Sequence, residues 1–168
     1  MEPLTLDVGI ASPDSVDELA ALAARTFPLA CPPATPAEDI ALFIDTNLSA
    51  TRFAEYLADR QRAVFSARHD GRIVGYAMLI RGADGAAELS KMYLLDDFHG
   101  TGPASMLMDA AVNTAADWGA RSIWLGVNQE NQRAQRFYLK SGFTINGTRT
   151  FRVGARQEND YVMVRELP

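Results

Sequence analysis

The segment from residue 87 to residue 127 constrains the fold more than any other part of the sequence. An apolar stretch, AELSKMYLL, is followed by a short loop with two glycines, HGTG. A helix-like pattern then runs from Pro103 to Trp118, and a second apolar stretch, SIWLGV, comes after it. Two strands joined by a helix in this way pair in parallel, with a right-handed crossover. The segment therefore predicts one parallel strand pair within a layered α/β protein.

The rest of the chain adds strands and helices around this unit. Ser12 and Pro13 suit the start of a first helix. Thr35, with Glu38 three residues on, predicts a capping box for a second helix, and SATRFAEYLADR predicts a third. Strands are predicted in LTLDVGI, AVFSARH, IVGYAMLI, FTINGTRTF and ENDYVMVREL, and a further helix in NQRAQRFYLKSG. The order β-α-α-α-β-β-β-α-β-α-β-β predicts one α/β domain over residues 1–168 with a mixed sheet.

Composition excludes several classes of function. The net charge of −5 argues against non-specific nucleic-acid binding and is compatible with a cationic substrate. Cys31 is the single cysteine, and His69 and His99 lack ligand spacing, so neither a disulfide framework nor a metal site is expected. No apolar run reaches the length of a signal peptide or a membrane span. We expect no membrane partner and a reduced, cytoplasmic setting.

The glycine loop at residues 98–105 has two interpretations. Backbone N–H groups at a helix start after a glycine loop favour a bound phosphate. The alternative is a tight turn and helix cap without a ligand. The loop lacks the lysine of a Walker motif, and after Gly100 and Gly102 it lacks the third glycine of the dinucleotide fingerprint. Its context has to decide between the two.

Two motifs at the right separation provide that context. HGTGPA resembles the Gln/Arg-x-x-Gly-x-Gly/Ala signature of the GCN5-related N-acetyltransferases, the GNAT superfamily. NQENQRAQRFYLKSGF resembles the second segment of that family, in which an Asn precedes a Tyr by seven residues and a Gly-Phe pair follows. The resemblance covers residues 63–168 well and the helical N-terminal third loosely. It implies a GNAT fold, with a mixed, mostly antiparallel sheet that splays open between strands 4 and 5 and is flanked by helices.

The resemblance also implies acetyl-CoA as co-substrate and a set of residues that bind it. The pyrophosphate would lie on the backbone of the loop and first helical turn, and the pantetheine arm would lie along the strand before them. The implied binding residues are His99, Gly100, Thr101, Gly102, Ala104, Ser105, Met92, Tyr93, Leu94 and Asn131. His99 departs from the family pattern, and Pro103 removes one N–H donor. For Met92 and Leu94 core packing is an alternative role, and for Asn131 a helix cap.

Two further residues are implied to be catalytic. Tyr138 stands at the general-acid position of the family, and its hydroxyl, with an ordinary pKa of about 10, is protonated at neutral pH. A buried aromatic of the core is the alternative interpretation. Glu88 begins the strand at the position of a glutamate base, and it would act through a water molecule. The alternative there is a solvated charge at a strand end.

The acceptor is the least constrained part of the prediction. The segment TFRVGARQENDYVMVREL is similar to the tail of PaiA-type spermidine/spermine acetyltransferases, which implies a polyamine or another small cationic amine. Acidic groups on the N-terminal helices could attract such a polycation: Glu38, Asp39, Asp45 and Glu55. A protein or peptide N-terminal acetyltransferase and a non-catalytic acyl-CoA sensor remain alternatives. An exposed final strand could pair between subunits, which would give a homodimer.

Overall fold

Helices and strands follow one another in the order that the sequence patterns predict. The computed structural model describes residues 6–98 and 102–168. The strands are β1 (Leu6–Ile10), β2 (Arg62–His69), β3 (Arg72–Arg81), β4 (Ala86–Leu94), β5 (Ser122–Asn128), β6 (Thr144–Val153) and β7 (Arg156–Glu166). The helices are α1 (Val16–Ala30), α2 (Ala37–Asn47), α3 (Ala50–Ala58), α4 (Gly102–Asp117) and α5 (Gln132–Lys140). Short 3-10 helices precede α1 (Pro13–Ser15) and follow β4 (Asp96–Phe98).

All seven strands form a single sheet in the order β1-β2-β3-β4-β5-β7-β6. Every neighbouring pair is antiparallel except β4 and β5, which are parallel as the crossover predicts. The last strand, β7, lies between β5 and β6. The expectation that the final strand is exposed for pairing between subunits is therefore wrong, because both edges of β7 are already paired. The sheet edges are β1 and β6.

The two faces of the sheet carry separate hydrophobic clusters. On one face α4 buries Leu107, Ala111 and Ala115, which recur every four residues and so form one stripe of the helix. Helix α5 joins this cluster. On the other face α1 buries Leu19 and Phe27 against the sheet, together with residues from α3. Within the described ranges, no helix is long and apolar enough to cross a membrane.

The helix starts agree with the sequence in one case and differ in another. Ser12 accepts a hydrogen bond from the backbone N–H of Asp14 (3.2 Å), as expected for a cap. The capping box at Thr35 is wrong, because α2 begins after Pro36 without a side-chain cap. The Thr35 hydroxyl instead donates to Glu158 Oε1 (3.1 Å). A buried carboxylate has greater need of a donor than a solvated helix end does, so the tertiary partner takes the hydroxyl.

Candidate functional site

A cleft opens in the middle of the sheet, where β4 and β5 separate. The two strands pair only over Ala86–Glu88 and Ser122–Trp124. Beyond Trp124, β5 continues beside β7, and residues 89–93 of β4 have no strand partner on the β5 side. The space between the strands has a volume of about 400 Å³, within the usual range for ligand pockets. The expected splay between strands 4 and 5 is thereby confirmed.

A β-bulge in β4 marks the point of separation. Leu89 pairs with Leu79 and Lys91 pairs with Met78, so Ser90 is an extra residue in β4. Bulges bend a strand and strengthen its local twist. The bulge therefore lies where β4 leaves β5.

The three β4 residues predicted to bind the co-substrate all line this cleft. Leu94 is buried, and Met92 packs against the hydrophobic cluster on the α4 side. Tyr93 lies on the opposite face, with its ring centroid 5.7 Å from that of Tyr76 and 6.1 Å from that of Phe27. The side chains of these residues thus pack in the two hydrophobic clusters, while the same residues also border the cleft.

The start of helix α4 also borders the cleft. Its first turn contains Gly102 and Pro103, and Ala104, which is 7% exposed, lines the cleft. Ser105 is exposed to solvent and does not line the cleft, in contrast to Ala104. The predicted binding residues His99, Gly100 and Thr101 lie outside the described residues.

Helix α5 places Tyr138 and Asn131 on the opposite wall. Asn131 caps the helix, since its side-chain oxygen accepts from the backbone N–H of Ala134 (3.2 Å), and the residue also lines the cleft. Tyr138 is 9% exposed, and its ring packs against those of Phe137 and Phe143. Burial raises the pKa of the Tyr138 hydroxyl to about 12. The hydroxyl is therefore protonated at neutral pH and can act as an acid.

Glu88 is not part of the cleft wall. It is half-buried on β4, beside Ile80 of β3 and Trp124 of β5, in the last parallel pair before the strands separate. Its charge acts on Lys91: burial and Arg62 lower the pKa of the Lys91 ammonium, Glu88 raises it, and the net result is a pKa of about 8. Tyr138 and the predicted binding residues of β4 thus line one cleft, whereas Glu88 does not.

The β6–β7 wall was missed by the sequence analysis. Arg149 of β6 and two buried carboxylates of β7, Glu158 and Asp160, line the cleft. Arg149 Nε lies 3.2 Å from Asp160 Oδ2. Glu158 Oε1 accepts from Thr35 and lies 2.9 Å from Arg156 Nε. Alternation along β7 places both carboxylates on one face, but that pattern does not reveal which face borders a cleft.

The acidic residues of the N-terminal helices lie elsewhere. Glu38, Asp39, Asp45 and Glu55 do not line the cleft. Asp39 Oδ1 accepts from the backbone N–H of Ala155 (3.1 Å), and Glu55 pairs with Arg52 (3.0 Å). The described residues also contain no group of three or more His, Cys, Asp or Glu side chains that could hold a metal ion.

Sequence comparison adds a family and close relatives. The sequence matches the acetyltransferase (GNAT) family over residues 18–143. An uncharacterized N-acetyltransferase of Mycobacterium tuberculosis (strain ATCC 25618 / H37Rv) is 72% identical over 151 residues, which cover 90% of this chain and 97% of the relative. An uncharacterized N-acetyltransferase of Lactobacillus delbrueckii subsp. lactis is 24% identical over 139 residues, or 77% of this chain and 79% of the relative.

Solved structures share the fold at low sequence identity. The PaiA N-acetyltransferase of Thermoplasma acidophilum, crystallised in complex with coenzyme A, has a TM-score of 0.85 at 18% identity. The match covers 97% of this chain and 99% of that one. The ribosomal-protein-S18-alanine N-acetyltransferase of Escherichia coli has a TM-score of 0.72 at 16% identity, over 96% of this chain and 94% of that one.

Proposed function

Since the chain belongs to the GNAT acetyltransferase family, we propose that it moves the acetyl group of acetyl-CoA to a small cationic primary amine, by direct attack in a ternary complex. One observation supports this most. The opening between β4 and β5 brings Tyr138 to the same cleft as the unpaired stretch of β4 and the first turn of α4. A thioester with a phosphate-bearing tail needs an acid for its leaving thiolate, a strand edge for its extended arm and a helix N-terminus for its phosphates.

The residues of the cleft fit acetyl-CoA, which supplies an activated acetyl group when bound. The strand edge at residues 89–93 can accept an extended arm as an added strand. The N-terminus of α4 provides N–H groups and the positive end of a helix dipole for phosphates. Basic residues of α5 also line the cleft and suit an anion: Arg133, Arg136 and Lys140.

In the reaction, the backbone of β4 and the side chain of Tyr138 have separate roles. A backbone N–H from residues 92–94 donates to the thioester carbonyl oxygen and stabilises the negative charge that develops there. Tyr138 donates its proton to the thiolate that leaves. Glu88 remains the base predicted from the sequence. Because it lies outside the cleft wall, it would have to act through water.

The acceptor class rests on the resemblance to PaiA-type enzymes and on the fold similarity to a PaiA protein. The second structure, an S18-alanine N-acetyltransferase, keeps a peptide amine as the alternative acceptor. A homodimer stays a prediction, and light scattering of the purified protein would test it.

Free-thiol release from acetyl-CoA tests the proposal. The acceptor panel contains spermidine, spermine, short diamines, amino acids and short peptides, and Tyr138→Phe is assayed in parallel. We expect release with a small amine. The Tyr138→Phe change should lower kcat by about 100-fold or more, because the acid is lost. The dissociation constant of acetyl-CoA, measured by calorimetry, should change little.

Other outcomes would redirect the proposal. Release with peptides alone would replace the small amine by a peptide N-terminus. Tight acetyl-CoA binding without release on any acceptor would support a sensor and refute the enzyme. An unchanged kcat in Tyr138→Phe would remove this residue from the reaction.

A further inference from the structure

The β6–β7 wall of the cleft contains charged groups that the proposed reaction does not yet use. Asp160 and Glu158 are 4% and 5% exposed, and both line the cleft. Burying a carboxylate costs free energy unless the group is paired. The partners of each oxygen therefore show how far each carboxylate is already stabilised.

Among the described residues, one oxygen of the Asp160 carboxylate has a hydrogen-bond partner. Its Oδ2 accepts from Arg149 Nε at 3.2 Å. Among residues 6–98 and 102–168, no hydrogen bond to Oδ1 is found. The side chain borders the open space between β4 and β5. Oδ2 thus anchors the carboxylate in the wall, while Oδ1 has no such partner within these ranges.

Arg149 is itself held in place, which fixes Asp160. A Cβ at Gly126 of β5 would overlap the guanidinium of Arg149. The Arg149 side chain therefore occupies space that is open because residue 126 is a glycine. The guanidinium carbon is 5.4 Å from the ring centroid of Trp124 and 5.4 Å from that of Phe151. Two aromatic rings and a carboxylate therefore hold this guanidinium in place.

The titratable and charged groups that interact with Asp160 come from three strands. Arg149 of β6 and Glu158 of its own strand both act on its pKa, which burial raises, Arg149 lowers and Glu158 raises. The charge of Asp160 in turn raises the pKa of Tyr93 of β4, so these two side chains lie near each other. Asp160 thus lines the same cleft as Tyr93 and Tyr138, the residues to which the proposed reaction assigns the thioester and its leaving group. A carboxylate whose pKa is raised is also a better base.

We propose that Asp160, rather than Glu88, binds the acceptor and acts as its base; this inference rests on the proposed function. Oδ1 of Asp160 binds the acceptor ammonium and takes one proton from it before attack. That proton then passes to water. The amine nitrogen forms a bond to the acetyl carbon while the carbon–sulfur bond breaks. The thiolate takes a proton from Tyr138, and the second proton that leaves the new amide nitrogen restores Tyr138.

The test compares three carboxylate-to-amide variants with the acceptor that the thiol-release panel identifies. They are Asp160→Asn, Glu88→Gln and the control Glu166→Gln, an exposed residue of β7 outside the cleft. Acceptor kcat/KM is measured against pH, and acetyl-CoA binding by calorimetry. We expect Asp160→Asn to lower kcat/KM by about 100-fold and to abolish the acidic limb of its profile. Acetyl-CoA binding should persist, and Glu166→Gln should behave as wild type.

Arg149→Gln provides an independent test in case Asp160→Asn does not fold. Because Arg149 lowers the pKa of Asp160, its loss should move the acidic limb to higher pH. The inference is overturned if Asp160→Asn keeps the wild-type profile, if Glu88→Gln alone removes the limb, or if Arg149→Gln leaves the limb in place. Failure of the proposed function would look different: the wild-type protein would release no thiol with any acceptor, and both proposals would fall together.

Discussion

At the scale of single residues, Tyr76 has a hydroxyl group that its surroundings do not satisfy. The residue is fully buried in β3 between Phe53 and Tyr93. None of the described residues forms a hydrogen bond with its hydroxyl. Burial raises the pKa of this group well above its ordinary value. An unpaired buried hydroxyl costs free energy because water no longer solvates it.

We therefore predict that Tyr76→Phe stabilises the protein by about 1 kcal/mol, measured by urea denaturation. Tyr56→Phe is the matched control. The Tyr56 hydroxyl donates to the backbone oxygen of Asn47 at 2.8 Å, so its removal should cost about 1 kcal/mol. Equal losses in the two variants would mean that a buried water satisfies Tyr76.

Single residues also show where sequence reasoning is strong. Asp-Gly is a residue pair that tight hairpin turns favour, and Asp70 and Gly71, between β2 and β3, both have the positive φ angles (54° and 82°) that such a turn needs. Asn131 was predicted to cap α5 and does so. These features depend on a few neighbouring residues. Asp160 and Arg149, by contrast, are defined by partners from other strands, which local patterns do not contain.

At the scale of strands, Gly126 couples β5 to the ion pair between β6 and β7. We predict that Gly126→Ala displaces Arg149, because the new Cβ would occupy the space of the guanidinium. Asp160 would then lose the charge that lowers its pKa. The acidic limb of the activity profile should therefore move to higher pH.

The control for this change is Gly9→Ala. Gly9 lies in β1, and a Cβ there would meet nothing within 4 Å. Its pH–rate profile should match that of the wild type. If Gly126→Ala also kept the wild-type profile, Arg149 would have no influence on the acceptor side.

The arrangement of strands was only partly predictable. Periodicity and turn residues predict each strand and helix to within a few residues, since burial on one face sets them. The parallel pair β4–β5 also follows, because a helical crossover allows no other close pairing. That β7 inserts between β5 and β6 does not follow, because either strand of an antiparallel hairpin can lie next to β5. The error about an exposed final strand arose from this ambiguity.

At the scale of the whole molecule, the sheet consists of two parts with a narrow junction. Strands β1 to β4 form one part and β5 to β7 the other, and only three residue pairs join β4 to β5. The walls of the cleft belong to both parts: Tyr93 to the first and Tyr138 to the second. A ligand that fills the cleft replaces the strand contacts that the splay removes.

This architecture predicts that coenzyme A stabilises both parts together. At 100 times its dissociation constant, a ligand of the folded state adds about 2.7 kcal/mol, which corresponds to a rise in Tm of about 5–10 °C for a chain of this size. Hydrogen exchange should slow in residues 89–93 and in α5. Adenosine 3′,5′-bisphosphate, which lacks the pantetheine arm, should slow hydrogen exchange at the start of α4 but not in residues 89–93. If coenzyme A also left residues 89–93 unprotected, the arm would not lie along β4, and the assignment of the cleft to acetyl-CoA would fail.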